Sequence, residues 1–213
     1  MMQRKPRDER SDSHGSDHQQ PKCNMNAAAF YRQTELDRTT WPEFRDQVQG
    51  FAADEESSTP RTYPGYPHWP LQRCRPRLWP GLEPILWSRR SALSLSANLP
   101  SRRELSRVLH FSHGVNASLG RGPTPSAGGL QALELYLVNL ADAWLPTGLY
   151  HYERADNSLA QLIVGAEREA WLKIVPSLAL FQGGSLLWIL VGDGARITQK
   201  YGERGWRFLL RPI

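Results

Sequence analysis

Three short segments of the chain combine side chains and backbone donors that could do chemistry. Ser88-Arg89-Arg90-Ser91 sets two guanidinium forks between hydroxyls, a donor set that matches the oxygens of a phosphate. The same residues also read as a solvated charge pair, the commoner fate of Arg-Arg-Ser in a basic chain. From Arg121 to Gly129 the chain carries Pro125-Ser126-Ala127-Gly128-Gly129, whose small side chains would let a flat polar ligand approach backbone N–H groups closely. A tight surface loop is the other reading of that stretch. In Lys200-Tyr201-Gly202-Glu203-Arg204-Gly205 an amine and a phenol adjoin a glycine turn. Such a lysine abstracts a proton when burial disfavours its charged form, whereas most lysines are exposed.

The elements that must position these segments can be read from patterning. Ser101-Arg102-Arg103-Glu104 is a capping box, and Leu105, Val108, Leu109 and Ser112 follow at helical spacing. A helix is therefore predicted from Arg102 to about His113, stopped by Gly114. Residues 114–129, with GRGPTPSAGG, break both periodicities and form a loop. Leu133 to Leu140 reads as a strand buried between layers. Gly148 to Tyr152 and Leu159 to Leu162 flank the turn Arg154-Ala155-Asp156-Asn157 and predict a hairpin. A helix is expected from Ala166 to Val175, a buried strand from Ser185 to Val191, and a further element from Trp206 to Leu210. Helices interleaved with a hairpin and central strands predict an α+β layered fold rather than a βαβ array.

Upstream of these elements the character of the chain changes. Residues 1–26 are polar and charged, so they are expected to form a disordered tail; His14 and His18 within them lack the further ligands a metal site needs. Residues 27–84 form an N-terminal region with short helices near Phe30 to Leu36 and Pro42 to Phe51. Its TYPGYPHWPLQRCRPRLWPG run is expected to wrap extended over the core, because its prolines oppose regular ladders. Residues 85–213 make up the layered domain.

Composition excludes several function classes. The formal net charge of +5 is spread without a block of like charges, so no nucleic-acid footprint is expected, only modest affinity for anions. Cys23 and Cys74 lack CxxC spacing, which argues against a disulfide framework or a cysteine metal site and fits a reducing compartment. The charged start has no apolar run after it, and the apolar stretch Leu178 to Val191 is interrupted at Gln182-Gly183-Gly184-Ser185, far short of the roughly 20 residues of a membrane helix. A cytoplasmic protein without membrane or metal partners is expected.

Taken in this order, the segments resemble the nitroreductase superfamily, and within it the SagB-type dehydrogenases that oxidise azolines in modified peptides. The similarity runs from about Phe30 onward and is most specific at PSAGGLQALELYLV (Pro125 to Val138), LPTGLYHYE (Leu145 to Glu153) and KYGERGWRF (Lys200 to Phe208). The resemblance implies an FMN-dependent oxidoreductase with a central, mostly antiparallel sheet flanked by helices, working as a homodimer. It implies that Arg89, Arg90 and Ser91 grip the FMN phosphate and ribityl chain. Pro125, Ser126, Ala127 and Gly129 would lie against the flavin with Arg121 nearby, in the same or the partner subunit. Lys200 and Tyr201 would assist proton removal.

Within the motif, Leu93 and Leu95 stand where the family pattern has Arg and Phe. Members of the family continue past the Lys200 to Phe208 segment into a long helix and further strands that complete the flavin site and the dimer, whereas this chain ends at Ile213, so the resemblance implies a domain truncated at its C-terminus. The implied partners are a cyclodehydratase and a ribosomal peptide or small-molecule substrate. A generic NAD(P)H-dependent nitroreductase, and a non-catalytic remnant or interaction module, are the alternative expectations.

Overall fold

A computed structural model describes residues 27–51, 60–73, 81–92, 94–116, 120–180 and 183–210. The expected tail at 1–26, with its histidine pair and Cys23, lies outside the described residues, as does Cys74. The chain divides into two units, residues 1–35 and 36–213. In the first, helix α1 (Ala27–Gln33) ends where the Thr34 hydroxyl donates to the Phe30 carbonyl at 2.7 Å.

The second unit is built on one five-stranded antiparallel sheet in the order β1-β4-β3-β2-β5. Helix α2 (Trp41–Gly50) precedes it, with Pro42 in the first turn, where its missing N–H costs nothing. Strand β1 (His68–Pro70) pairs with β4 at one edge. A ladder therefore does form in the proline-rich run, but it is three residues long and lies at the sheet margin, where proline is tolerated. Ahead of β1 the run turns rather than extends, with the Tyr66 N–H donating to the Tyr63 carbonyl at 3.3 Å, and the Tyr63 ring lies 4.9 Å from that of His151. Helix α3 (Leu82–Ser88), which the sequence reading did not anticipate, is exposed along its length.

Helix α4 (Arg102–His113) carries the predicted capping box: the Ser101 hydroxyl accepts from the Glu104 N–H, and the Glu104 carboxylate accepts from the Ser101 N–H at 2.9 Å. Its Leu105 and Leu109 pack against Leu135, Leu137, Tyr150, Tyr152 and Leu159 to form the main core. Strands β2 (Leu133–Asn139), β3 (Gly148–Glu153) and β4 (Ser158–Val164) follow. In the register Leu137 opposes Tyr150 and Tyr136 opposes His151. Residues 133, 135 and 137 thus face α4, and residues 134, 136 and 138 face the other way. Buried Asn139 fixes the link to β3 by donating to the Leu145 and Pro146 carbonyls at 2.6 and 2.9 Å.

Helix α5 (Arg168–Ile174) and strand β5 (Leu186–Gly192) come next. β5 was expected to be buried; instead it is the outer strand beside β2, and Trp188 and Leu190 are 38% and 66% exposed. A continuous apolar run reads the same whether both faces are covered or one is open, which is why pattern misled. Helices α6 (Gly194–Tyr201) and α7 (Gly205–Leu210) close the described chain. No described helix is long and apolar enough to cross a membrane.

Candidate functional site

The glycine-rich segment folds as a single 3₁₀ turn, Ala127–Gly129, between Ser126 and Leu130. Gly128 and Gly129 take φ values of 60° and 74°, open to glycine and strained for other residues. The Gly129 N–H donates to the Ser126 carbonyl at 3.0 Å, and the Ser126 hydroxyl accepts from the Gln131 N–H at 2.7 Å. Buried Leu130 and Ala132 tether the turn to the fold, while Pro125, Gly128 and Gly129 stay exposed.

Lys200 and Tyr201 lie at the C-terminal end of α6, a helix the sequence reading did not foresee. Asp193 caps it by accepting from the Arg196 N–H at 3.1 Å, and the Asp193 N–H donates to the Ala132 carbonyl at 2.7 Å. The helix start is thereby fastened to the strand that leaves the glycine turn. Gly202, at φ 54°, ends the helix. The Tyr201 ring packs between Phe44, at 6.2 Å, and Phe208, at 4.8 Å, and Lys200 Nζ lies 5.5 Å from the centre of the Phe51 ring. Burial raises the pKa of the Tyr201 phenol, so it keeps its proton at neutral pH.

The second and third segments meet. A Cβ placed on Gly128 would stand 2.5 Å from the Tyr201 hydroxyl oxygen and 2.8 Å from Lys200 Nζ. The first segment behaves differently. Arg89, Arg90 and Ser91 follow α3 and are exposed, and Arg89 donates its backbone N–H to the Ile85 carbonyl at 3.0 Å. Among the described residues no hydrogen bond, ion pair or ring contact links these three to the glycine turn. Downstream of them, Ser96 accepts from the Gly184 N–H at the start of β5, whereas the glycine turn is fastened at the far end of that strand through Asp193. Arg121 is exposed, and its carbonyl accepts from the Asn116 N–H at 2.8 Å.

Sequence reasoning missed a buried polar knot beside the turn. Arg154 donates to the Gln131 side-chain oxygen at 2.8 Å and to its carbonyl at 3.0 Å, and Arg196 donates to that same carbonyl at 3.1 Å. Arg196 also reaches Glu134 at 3.4 Å, and the other carboxylate oxygen of Glu134 accepts from His151 Nε2 at 3.1 Å. The His151 ring lies between those of Tyr63 and Tyr136, whose hydroxyls are 2.7 Å apart. Burial by itself would raise the Glu134 carboxyl pKa, but the His151 hydrogen bond and the charges of Arg154 and Arg196 outweigh it and hold the group below the usual carboxylate value. Desolvation lowers the Arg154 pKa. One signal was available: Glu134 and Tyr136 alternate with Leu133, Leu135 and Leu137, which marks a strand with one polar face.

Against the turn lies a cleft of ≈ 30 Å³ lined by His113, Pro125, Ser126, Ala127, Gln131 and Phe208 among others, room for about one water. Next to it opens an apolar groove of ≈ 670 Å³ between α4, β5 and α7, lined by Leu133, Leu135, Trp188, Leu190, Trp206 and Leu209 among others. His113 borders both. Its burial, and then the nearby Arg154 charge, hold its imidazole pKa below the ordinary value.

No protein-family model matches the chain, and no curated protein matches it. Among solved structures it resembles a protein from Anabaena variabilis assigned as a nitroreductase, with TM-score 0.54 and 23% identity over 85% of this chain. It also resembles one from Ralstonia eutropha with the same assignment, with TM-score 0.56 and 21% identity over 70% of this chain. The chain spans 34% of the first and 67% of the second. A fainter likeness, TM-score 0.48 and 16% identity over 85% of this chain and 66% of the other, is to the Escherichia coli microcin synthetase McbBCD complex, too slight to bear on function. The fold is nitroreductase-like.

Proposed function

We propose that this chain forms part of an FMN-dependent oxidoreductase of the SagB type, in which Lys200 and Tyr201 handle a proton beside a flavin held at the Ser126–Gly129 turn. The observation that carries this reading is the contact of Gly128 with Lys200 and Tyr201. It joins an exposed, small-residue turn to an amine and a protonated phenol, and the two segments are over 70 residues apart in sequence.

The residues present fit a flat ring cofactor laid on the turn rather than buried in the chain. Gly129 has open space beside it, Gly128 and Pro125 are exposed, and the adjoining cleft is too small for a ring system. The ring would lie over Pro125, Ser126, Ala127 and Gly129. When bound, FMN supplies the two-electron step as a hydride acceptor from substrate. The chain's residues do the rest: Lys200 takes up the substrate proton that leaves as the second hydrogen equivalent, and the Tyr201 O–H donates a hydrogen bond beside it. Oxygen would return the cofactor to its oxidised form.

Arg89, Arg90 and Ser91 would grip the FMN phosphate from a second copy of the chain. Their exposure, and the absence among the described residues of a hydrogen bond, ion pair or ring contact from them to the glycine turn of the same chain, support that assignment. Arg121 would add a cation at the rim. The substrate is an azoline-bearing ribosomal peptide delivered by a cyclodehydratase. The test is to incubate the purified full chain with FMN and desalt it: retained flavin absorbance is expected, and colourless protein overturns the reading. Turnover of nitroaromatics with NAD(P)H but not of azoline peptide would move the assignment to a general nitroreductase.

A further inference from the structure

The turn that carries Gly128 ends on Gln131, a residue with a side chain at φ 52°. L residues rarely adopt that backbone region, and it persists only where neighbours impose it. Two buried guanidinium groups converge here on one neutral oxygen, the Gln131 carbonyl, at 3.0 and 3.1 Å. Arg154 and Arg196 are 4% and 7% exposed. Burying two cations is costly, and apolar residues of similar volume often stabilise a fold as well, so the value of such an arrangement lies in the geometry it enforces.

That geometry runs in both directions from Gln131. Its N–H donates to the Ser126 hydroxyl at 2.7 Å, which ties the arginines to the start of the turn. Arg196 itself belongs to α6, one helical turn before Lys200. The contact of Arg196 with Glu134, which His151 in turn holds, fixes the helix to β2. The Gln131 carbonyl oxygen thus joins the turn to the Lys200-Tyr201 helix, alongside the bond from the Asp193 N–H to the Ala132 carbonyl.

We propose that Arg154 and Arg196 are positioning residues of this site, whose joint grip on the Gln131 carbonyl holds the Ser126–Gly129 turn against Lys200 and Tyr201. Its bearing on flavin rests on the function proposed above; the grip itself does not. Two readouts on the full-length chain separate the two. The first is amide hydrogen exchange in wild type, Arg154→Met, Arg196→Met and the corresponding Arg→Lys variants. Exchange at Gly129, Leu130 and Gln131 is expected to quicken about tenfold or more in the Met variants while Leu135 and Leu137 in β2 stay protected. The Lys variants, which keep the charge but offer a single donor nitrogen in place of the guanidinium fork, should fall between.

Unchanged exchange at the turn, or equal quickening throughout β2, overturns the proposal. Should the Met variants fail to fold, the Lys variants carry the same comparison. The second readout is FMN retention. If wild type holds FMN and the variants loosen the turn without weakening FMN, the positioning role is overturned. If wild type holds none and the turn still loosens selectively, the grip stands and the flavin reading falls.

Discussion

Gly128 and Tyr201 are in contact so close that the glycine has no room for a side chain: an added Cβ would meet the phenol oxygen at 2.5 Å. Neighbouring Gly129, also at positive φ, faces open space. Two alanine substitutions three atoms apart along the backbone therefore test different things. Both pay the left-handed backbone penalty of roughly 1–2 kcal/mol, but only Gly128→Ala also displaces Tyr201 and Lys200. Denaturant unfolding should show Gly128→Ala to be the more damaging, and flavin retention should fall with it. Equal losses would mean that the contact has no energetic weight.

Lys200→Ala should leave flavin retention unchanged and lower azoline dehydrogenation by roughly 10²–10⁴-fold, the usual contribution of a positioned acid–base group. Tyr201→Phe keeps the ring between Phe44 and Phe208 and removes only the hydroxyl, so stability should hold while activity drops. Full activity in the Lys200 variant removes it from the proton path.

Acid should destabilise the fold in two stages. His113 has a folded pKa below its ordinary value of 6.5, so below that pH the unfolded chain binds a proton that the folded chain refuses, and stability falls as pH drops. Glu134 has a folded pKa below its ordinary 4.5, so its contribution is present above that pH and is lost as pH falls through the folded value. The melting temperature of the chain should decline as pH falls below 6.5 and again as it falls below 4.5. His113→Gln should flatten the first decline and leave the second, and a pH series of thermal melts checks this.

The capping box of α4 should behave as an independent unit. Ser101→Ala removes the acceptor for the Glu104 N–H and should cost about 1 kcal/mol. Guanidinium unfolding measures the loss, and because the helix N-terminus lies away from the glycine turn, flavin retention should not change.

How far the sequence could be read depended on whether the information was local. The Ser101 cap, the Gly114 stop and the turn before Asn157 are set by neighbours a few residues apart, and helix α4 and the β3–β4 hairpin match expectation closely. The glycine turn and the Lys-Tyr pair were also visible as segments. Their meeting was not, because it depends on Asp193 joining Ala132 and on two arginines converging on Gln131, contacts that span 23 to 65 residues with no periodicity to announce them. Helix α6 was missed for a related reason: GARITQKY has a glycine start and a β-branched centre, so its cap and buried Arg196 and Ile197 hold it rather than propensity. The openness of β5 is likewise a property of sheet order, which composition does not encode.

That open strand has a practical consequence. β5 bonds to β2 on one side, and its Trp188 and Leu190 stand exposed beside a groove of further leucines and Trp206. Sticky side chains along a sheet margin invite strand-to-strand clumping. Concentrated samples should therefore scatter light, and a lysine placed at Leu190 should calm them without touching the chemistry at the other end of α6.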